Sequence, residues 1–296
     1  MKSMRQTCGI LLGALVVTLT AVIPLFAQDK LPVIASFSIP GDLARNVGGD
    51  RADIATLVGA NGDVHVYTPA PGDAKKISDA KLVVVNGLGL EGWLERLVRS
   101  SGSKAPIVIA SNGIAPRKLG AHADPHAWQS VANAKIYVAN IRDGLSAADP
   151  AGAAAYRANA EAYLAKLGAL DGEVRAAIAK IPEARRKVIS THAAFGYFAD
   201  AYGIAFIAPQ GVSTESEASA RDIAAIITQI RTQKIPAVFL ENVSDPRLMR
   251  RIAAETGAKI GGTLYSDSLT GQNGEAPTYI DMVRHNIKAL TAALAD

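Results

Sequence analysis

Residues 148–182 read ADPAGAAAYRANAEAYLAKLGALDGEVRAAIAKIP, and this stretch decides the fold. From 147 to 181 there are fourteen alanines and no β-branched residue before Val174. Alanine loses no side-chain entropy in a helix and ranks first in helix propensity. Leu167, Leu170, Val174, Ile178 and Ile181 recur at steps of three and four, which puts them on one face. Asp149-Pro150 supplies an N-cap followed by a proline suited to the first helical position, and Pro182 closes the run. The pattern predicts one helix of about 32 residues, about 48 Å long. Gly152, Gly168 and Gly172 lower its propensity without breaking it.

On both sides short apolar runs alternate with amphipathic stretches. Upstream, strands are expected at 32–37, 53–58, 81–86 and 106–110, with helices at 39–47, 73–79 and 91–100. Downstream, strands are expected at 187–191, 204–208, 236–240 and 259–265. The intervening helices are expected at 192–202, 219–233 and 246–255, with a closing helix at 277–295. Such alternation predicts an α/β fold with two lobes, each holding a mostly parallel sheet, joined by the single long helix. The expected division is 28–145, 146–181 and 182–296, with a leader before it. Two lobes imply a cleft, and ligands collect in clefts.

The chain has 296 residues, a net charge of +4 and a single cysteine. One cysteine excludes an intrachain disulfide and any zinc or iron–sulfur site built on thiolates. The mild charge shows no basic cluster, so no nucleic-acid partner is expected. At the start, Lys2 and Arg5 precede an uncharged apolar run from Ile10 to Ile23, then Pro24 and Ala27. This is the layout of a secretory signal peptide cleaved after Ala27, and it predicts an exported, periplasmic protein. Cys8 precedes the apolar run, which makes it a poor lipid-attachment site.

Gly87-Leu88-Gly89-Leu90-Glu91-Gly92 matches the dinucleotide fingerprint G-x-G-x-x-G. It follows the third expected strand instead of the first, and the next strand ends in Ser111-Asn112 with no acid for a ribose hydroxyl. It is therefore read as a glycine-rich turn with Trp93 packed beneath it, and no nucleotide cofactor is expected.

Five histidines occur, and three sit just beyond an expected strand or at a helix start: His65, His126 and His192. Asp267 ends the last expected strand in the same way. Ligands of α/β sheets gather at the carboxyl ends of strands. Three imidazoles and one carboxylate make a four-coordinate site for a divalent transition metal. Asp63 and Asp124 each precede a histidine by two, so either carboxylate stands where it can orient that ring through its second nitrogen. The competing interpretation is that each histidine is an ordinary half-buried, hydrogen-bonded residue.

These residues lie in stretches that resemble the zinc/manganese cluster of periplasmic solute-binding proteins of metal ABC importers. The stretches are Asp63–Pro69, Asn86–Leu94, Asp124–Trp128, Thr191–Phe198 and Gly211–Glu217, with Leu240–Asn242 and Tyr265–Asp267 also fitting. The resemblance implies two α/β lobes on a rigid backbone helix. It implies that His65, His126, His192 and Asp267 bind the metal, that an ABC permease receives it, and that the chain is not an enzyme. Manganese-type members often carry a glutamate where this chain has His192, and three nitrogens with one carboxylate suit zinc, so zinc is expected first and manganese second. Many zinc members have a long His-rich loop before the second ligand; here residues 112–124 are short and hold only His122, expected at the surface. Glu241 is expected behind the ligands. A monomer is expected, moving by a small tilt and local loop ordering.

Two alternatives stay open at this level. An exported zinc hydrolase would keep an open metal position for water, and no H-E-x-x-H is present. A binding protein for a metal chelate would want a wider cleft lined by aromatic or arginine side chains, and aromatics are 5% of the chain.

Overall fold

The computed structural model describes residues 29–120 and 122–295. The leader expected at 1–27 lies outside the described residues. Among the described residues no helix is long and apolar enough to cross a membrane.

The first lobe begins with β1 (Leu31–Phe37), α1 (Ser38–Gly48), β2 (Ala52–Val58), α2 (Pro71–Asp79), β3 (Leu82–Val85), α3 (Leu94–Ser101) and β4 (Ile107–Ile109). Its strands pair in the order β2-β1-β3-β4, all parallel. A two-residue hairpin follows, β5 (Lys118–Leu119) with β6 (His122–Ala123). Next come α4 (Val131–Ala148) and α5 (Ala153–Ala179). The second lobe holds β7 (Lys187–Ile189), α6 (Gly196–Tyr202), β8 (Ala205–Ile207), α7 (Ala220–Gln233), β9 (Ala237–Glu241), α8 (Arg247–Thr256), β10 (Lys259–Leu264) and α9 (Tyr279–Leu294). Its strands run in the order β10-β9-β7-β8, again all parallel. The α/β architecture with two parallel sheets and one long helix is the one the alternation predicts.

The long helix differs in its start. Pro150–Gly152 form a 3-10 turn, and the α-helix proper is the 27 residues of α5. Asp149 explains the offset: its carboxylate accepts from the Gly152 amide, the Tyr156 hydroxyl and the Arg51 guanidinium, so the chain is pinned before the regular helix begins. The sequence reading also lacks α4, which packs along α5. α5 touches α1 and α4 from the first lobe and α9 from the second. Val174, Leu170, Leu167 and Tyr163 face inward from it and are buried.

One apolar core runs through both lobes, from Phe37, Leu43 and Val47 past Trp128 and Ile141 to Phe239 and Tyr279. A smaller cluster of Ile189, Ile226, Ile230, Val238, Met249 and Ile252 lies beneath α7 and α8. Buried polar links also cross between the lobes. The Tyr279 hydroxyl donates to the Trp128 carbonyl at 2.6 Å, and the Leu269 amide donates to the Ser38 hydroxyl at 2.9 Å. A shared core with satisfied polar groups opposes wide lobe separation, because opening would expose both.

The glycine fingerprint is occupied by the chain itself. Glu91 is half-buried, and its carboxylate accepts from the amides of Asn86 (2.6 Å) and Gly87 (3.1 Å) and from the Ser36 hydroxyl (2.7 Å). These are the amides a phosphate would need. Gly87 has φ +85°, and a Cβ there would stand 2.5 Å from Ile109 Cγ2. The same capture delays the helix expected from residue 91, which starts at Leu94.

Asp42 is a buried acid on α1 whose carboxylate accepts from the Tyr279 amide at the start of α9. Burial pushes its pKa from 3.8 up to about 6, against the pull of that amide and of Arg45. A raised acid pKa means that the folded state binds more protons between those values, so this group's contribution to stability falls as pH rises from about 4 to 6. Asp42→Asn keeps an acceptor for the amide and removes the buried charge. It is expected to raise stability at pH 7 by about 1–3 kcal/mol, the upper end being the two-unit shift itself, and to give no gain at pH 4. Urea unfolding of both proteins at the two pH values checks this; equal gains at both would refute it.

Candidate metal centre

Four side chains meet between the lobes. His65 lies in the loop after β2, His126 just before the 3-10 turn Ala127–Gln129, His192 in the loop after β7, and Asp267 in the loop after β10. One ligand atom from each falls within 4.8 Å of the other three. His126, His192 and Asp267 are buried, and the His65 side chain is 5% exposed. The imidazole centroids are 5.2–5.7 Å apart. All three Nε2 atoms face the carboxylate: His192 is 3.0 Å from Oδ2, His65 3.3 Å from Oδ2, and His126 3.6 Å from Oδ1.

Neither oxygen of Asp267, nor Nε2 of His192, makes a well-aligned hydrogen bond although all are buried. Buried polar atoms are nearly always satisfied. Close distances with poor alignment describe groups aimed at a shared point and not at each other. That point suits a cation bound by imidazole nitrogen and carboxylate oxygen.

Carboxylates stand behind two of the candidate ligand rings, on the side away from Asp267. Asp124 Oδ1 lies 2.8 Å from Nδ1 of His126, so Nδ1 donates and Nε2 is left as an acceptor. Glu241 Oε2 lies 2.5 Å from Nδ1 of His192, a close ion-pair contact without hydrogen-bond alignment, on the side of the ring away from Asp267. Its other oxygen accepts from the amides of Thr191 (2.7 Å) and His192 (3.1 Å). That explains why the helix expected from residue 192 begins only at Gly196: its first amides are held by Glu241. Asp63 and Asp124 each accept from the backbone amide of the histidine two residues on, at 2.9 Å for His65 and 3.0 Å for His126, but only Asp124 also takes the ring Nδ1 of its histidine.

Electrostatics follow the same layout. Burial pulls the His126 imidazole below its usual pKa. Burial also opposes charge on His192, but the Glu241 and Asp267 carboxylates outweigh it and hold that imidazole well above the usual value. Burial would raise Asp267, yet His192 and His126 hold its carboxyl well below the carboxylate range.

Sequence reasoning missed Trp128 and Gln129. Trp128 Nε1 (2.9 Å) and Gln129 Nε2 (2.7 Å) both donate to the carbonyl of Ser266, beside Asp267. They tie the His126 segment to the Asp267 loop, and their nearness to His126 in sequence is the one signal that pointed there. Asn86 also donates to the Pro125 carbonyl, holding the His126 segment from below. His122 is exposed. With Leu88, Glu215 and His65 it lines a cavity of about 440 Å³ that opens on the site.

Comparison with known proteins places the chain in a family. Residues 33–293 match the family described as Zinc-uptake complex component A periplasmic (ZnuA). The iron-binding protein YfeA of Yersinia pestis is 35% identical over 90% of this chain and 87% of its own. The manganese-binding lipoprotein MntA of Halalkalibacterium halodurans is 36% identical over 90% and 89%. Among solved structures, the periplasmic zinc-binding protein TroA of Treponema pallidum superposes with a TM-score of 0.87 at 31% identity, covering 90% of this chain and 100% of that one. The chain therefore belongs to the ZnuA family of metal-binding solute-binding proteins of ABC importers, which are not enzymes.

Proposed function

We propose that the protein captures a divalent transition metal in the periplasm, with zinc as its first cargo, through His65, His126, His192 and Asp267, and hands it to an ABC permease. The observation that carries this reading is the convergence of three imidazole Nε2 atoms and one carboxylate within 4.8 Å at a buried point. Three nitrogens with one oxygen match a tetrahedral zinc site, and the carboxylates beside Nδ1 of His126 and His192 are what zinc-ligating histidines usually have behind them. The protein acts as a monomer, exported by the leader at 1–27. Its first lobe, linking helix and second lobe divide at 28–145, 146–181 and 182–296. The shared core keeps lobe motion small, so capture proceeds by loop ordering with a slight tilt.

Manganese is the second reading, and one observation favours it. Both oxygens of Asp267 face imidazoles, which leaves a two-oxygen bite for an ion of higher coordination number. The names of the relatives span iron, manganese and zinc, the range in which the cargo falls. Almost any nitrogen–oxygen site prefers zinc to manganese in raw affinity, so competition in vitro does not separate them. Metal content of protein taken from the periplasm without added metal does. Zinc near one equivalent per chain is expected, with nitrogen and oxygen neighbours at about 2.0–2.1 Å by X-ray absorption. Manganese or iron as the main metal would overturn the zinc assignment.

A further inference from the structure

The four ligands are not held equally. His126 and Asp267 form one buried unit through Trp128 and Gln129, and His192 is braced by Glu241. The Nδ1 of His65 has no hydrogen-bond partner among the described residues, so its loop is held through the backbone. Trp93 Nε1 donates to the Val64 carbonyl (3.0 Å), the Asn61 amide to the Leu269 carbonyl (2.9 Å), and the His65 amide to Asp63 Oδ1 (2.9 Å).

The second oxygen of Asp63 reaches across the lobes. The Thr214 hydroxyl donates to Asp63 Oδ2 at 2.6 Å, linking positions 151 residues apart. Thr214 lies in the irregular segment 208–219 between β8 and α7. The same segment pairs with the His192 loop: the Ala193 amide donates to the Gly211 carbonyl (2.9 Å), and the Gln210 amide to the Thr191 carbonyl (3.3 Å). Val212, Ser213 and Glu215 of this segment wall the cavity that leads to His65.

We infer that Asp63 and Thr214 form a latch, a positioning pair that ties His65 to the segment over the mouth and so sets how long a captured metal stays. One carboxylate holds both the His65 amide and the Thr214 hydroxyl. Breaking the hydroxyl bond releases the mouth segment and loosens His65 together, so the effect falls on escape more than on entry. The bond is charge-assisted and short, the stronger kind of hydrogen bond. The latch rests on the reading of His65 as a metal ligand.

Zinc release from the loaded full-length mature protein into excess chelator, followed by stopped flow, tests it. Thr214→Val should release zinc about ten- to a hundredfold faster, the range for losing a hydrogen bond to a charged group, with association within about twofold of the parent. Thr214→Ser restores the hydroxyl and should return release to the parent rate. Asp63→Asn should also speed release, and the Asp63→Asn/Thr214→Val double variant should be no faster than Asp63→Asn alone. A parent that holds one zinc beside a Thr214→Val variant of unchanged release overturns the latch and leaves the ligand assignment standing. Fast release by Thr214→Ser equally overturns it, since a merely structural defect would then be the cause. A parent that binds no zinc removes the ligand reading and the latch with it.

Discussion

Asp267→Ala is expected to weaken zinc binding by more than about a hundredfold, because losing a partner outside the coordination sphere already costs about 10–100-fold. Asp267 supplies the site's negative charge, and the inward-facing nitrogens of all three histidines point at it. Asp267→Asn keeps the shape and one oxygen without the charge, so it should fall between the parent and the alanine variant. The substitution also acts on the metal-free protein. Asp267 has a depressed carboxyl pKa in the fold. Its contribution to stability is therefore present above about 3.9 and lost only as pH falls through the depressed value. Removing one member of a buried charged set costs about 3–5 kcal/mol, so the apo variant should melt lower at pH 7. Calorimetric titration with zinc and thermal unfolding of the apo protein read the two effects separately. Zinc affinity within tenfold of the parent would remove Asp267 from the ligand set.

Most of the scaffold was legible because it rests on local signals. The alternation of apolar runs placed every strand of both sheets to within a few residues, and the alanine-rich stretch marked α5. α4 carried its own signal: Val131, Ala134, Tyr137, Val138, Ile141 and Leu145 are spaced for one helical face and are buried. That pattern was diluted by β-branched residues and by Gly144, which sequence alone reads as a breaker. The structure explains the glycine, since a Cβ there would stand 2.2 Å from Val108 Cγ2 of β4. Positions of the candidate ligands were legible for a general reason, that strand ends collect ligands. Their supports divide by range. Asp124 lies two residues from His126, so its role behind the ring could be read from spacing. Asp63 has the same spacing and makes the same bond to the amide two residues on, but its second oxygen accepts from Thr214, a partner no local pattern contains. Glu241 reshapes the His192 loop from 49 residues away. The same long-range capture of amides delays the helix expected from 192, whereas Glu91 delays the one expected from 91 by taking amides only four and five residues upstream.

Zinc binding is expected to release about one proton per metal at pH 7 and to weaken by about a hundredfold or more between pH 8 and pH 5.5. The argument turns on His192. In the metal-free site its Nδ1–H faces Glu241 and its Nε2 faces Asp267, and the two carboxylates hold the ring protonated above the usual imidazole pKa. A metal at Nε2 must displace that proton, while Nδ1–H stays on Glu241. Each pH unit below the folded pKa of His192 therefore costs about a factor of ten in apparent affinity. His126 adds no competition near neutrality, because burial keeps its ring neutral and Asp124 leaves its Nε2 free to bind. The same proton governs stability. A histidine with a raised folded pKa stabilises the apo protein fully below about 6.5, and that contribution is lost as pH rises through the folded value. Zinc takes over the role of the proton there, so the rise in melting temperature on adding zinc should be small at pH 5.5 and large at pH 8. Titration calorimetry in buffers of different ionisation enthalpy counts the released protons. No proton release at pH 7, together with a flat affinity from pH 8 to 5.5, would mean that His192 does not bind the metal.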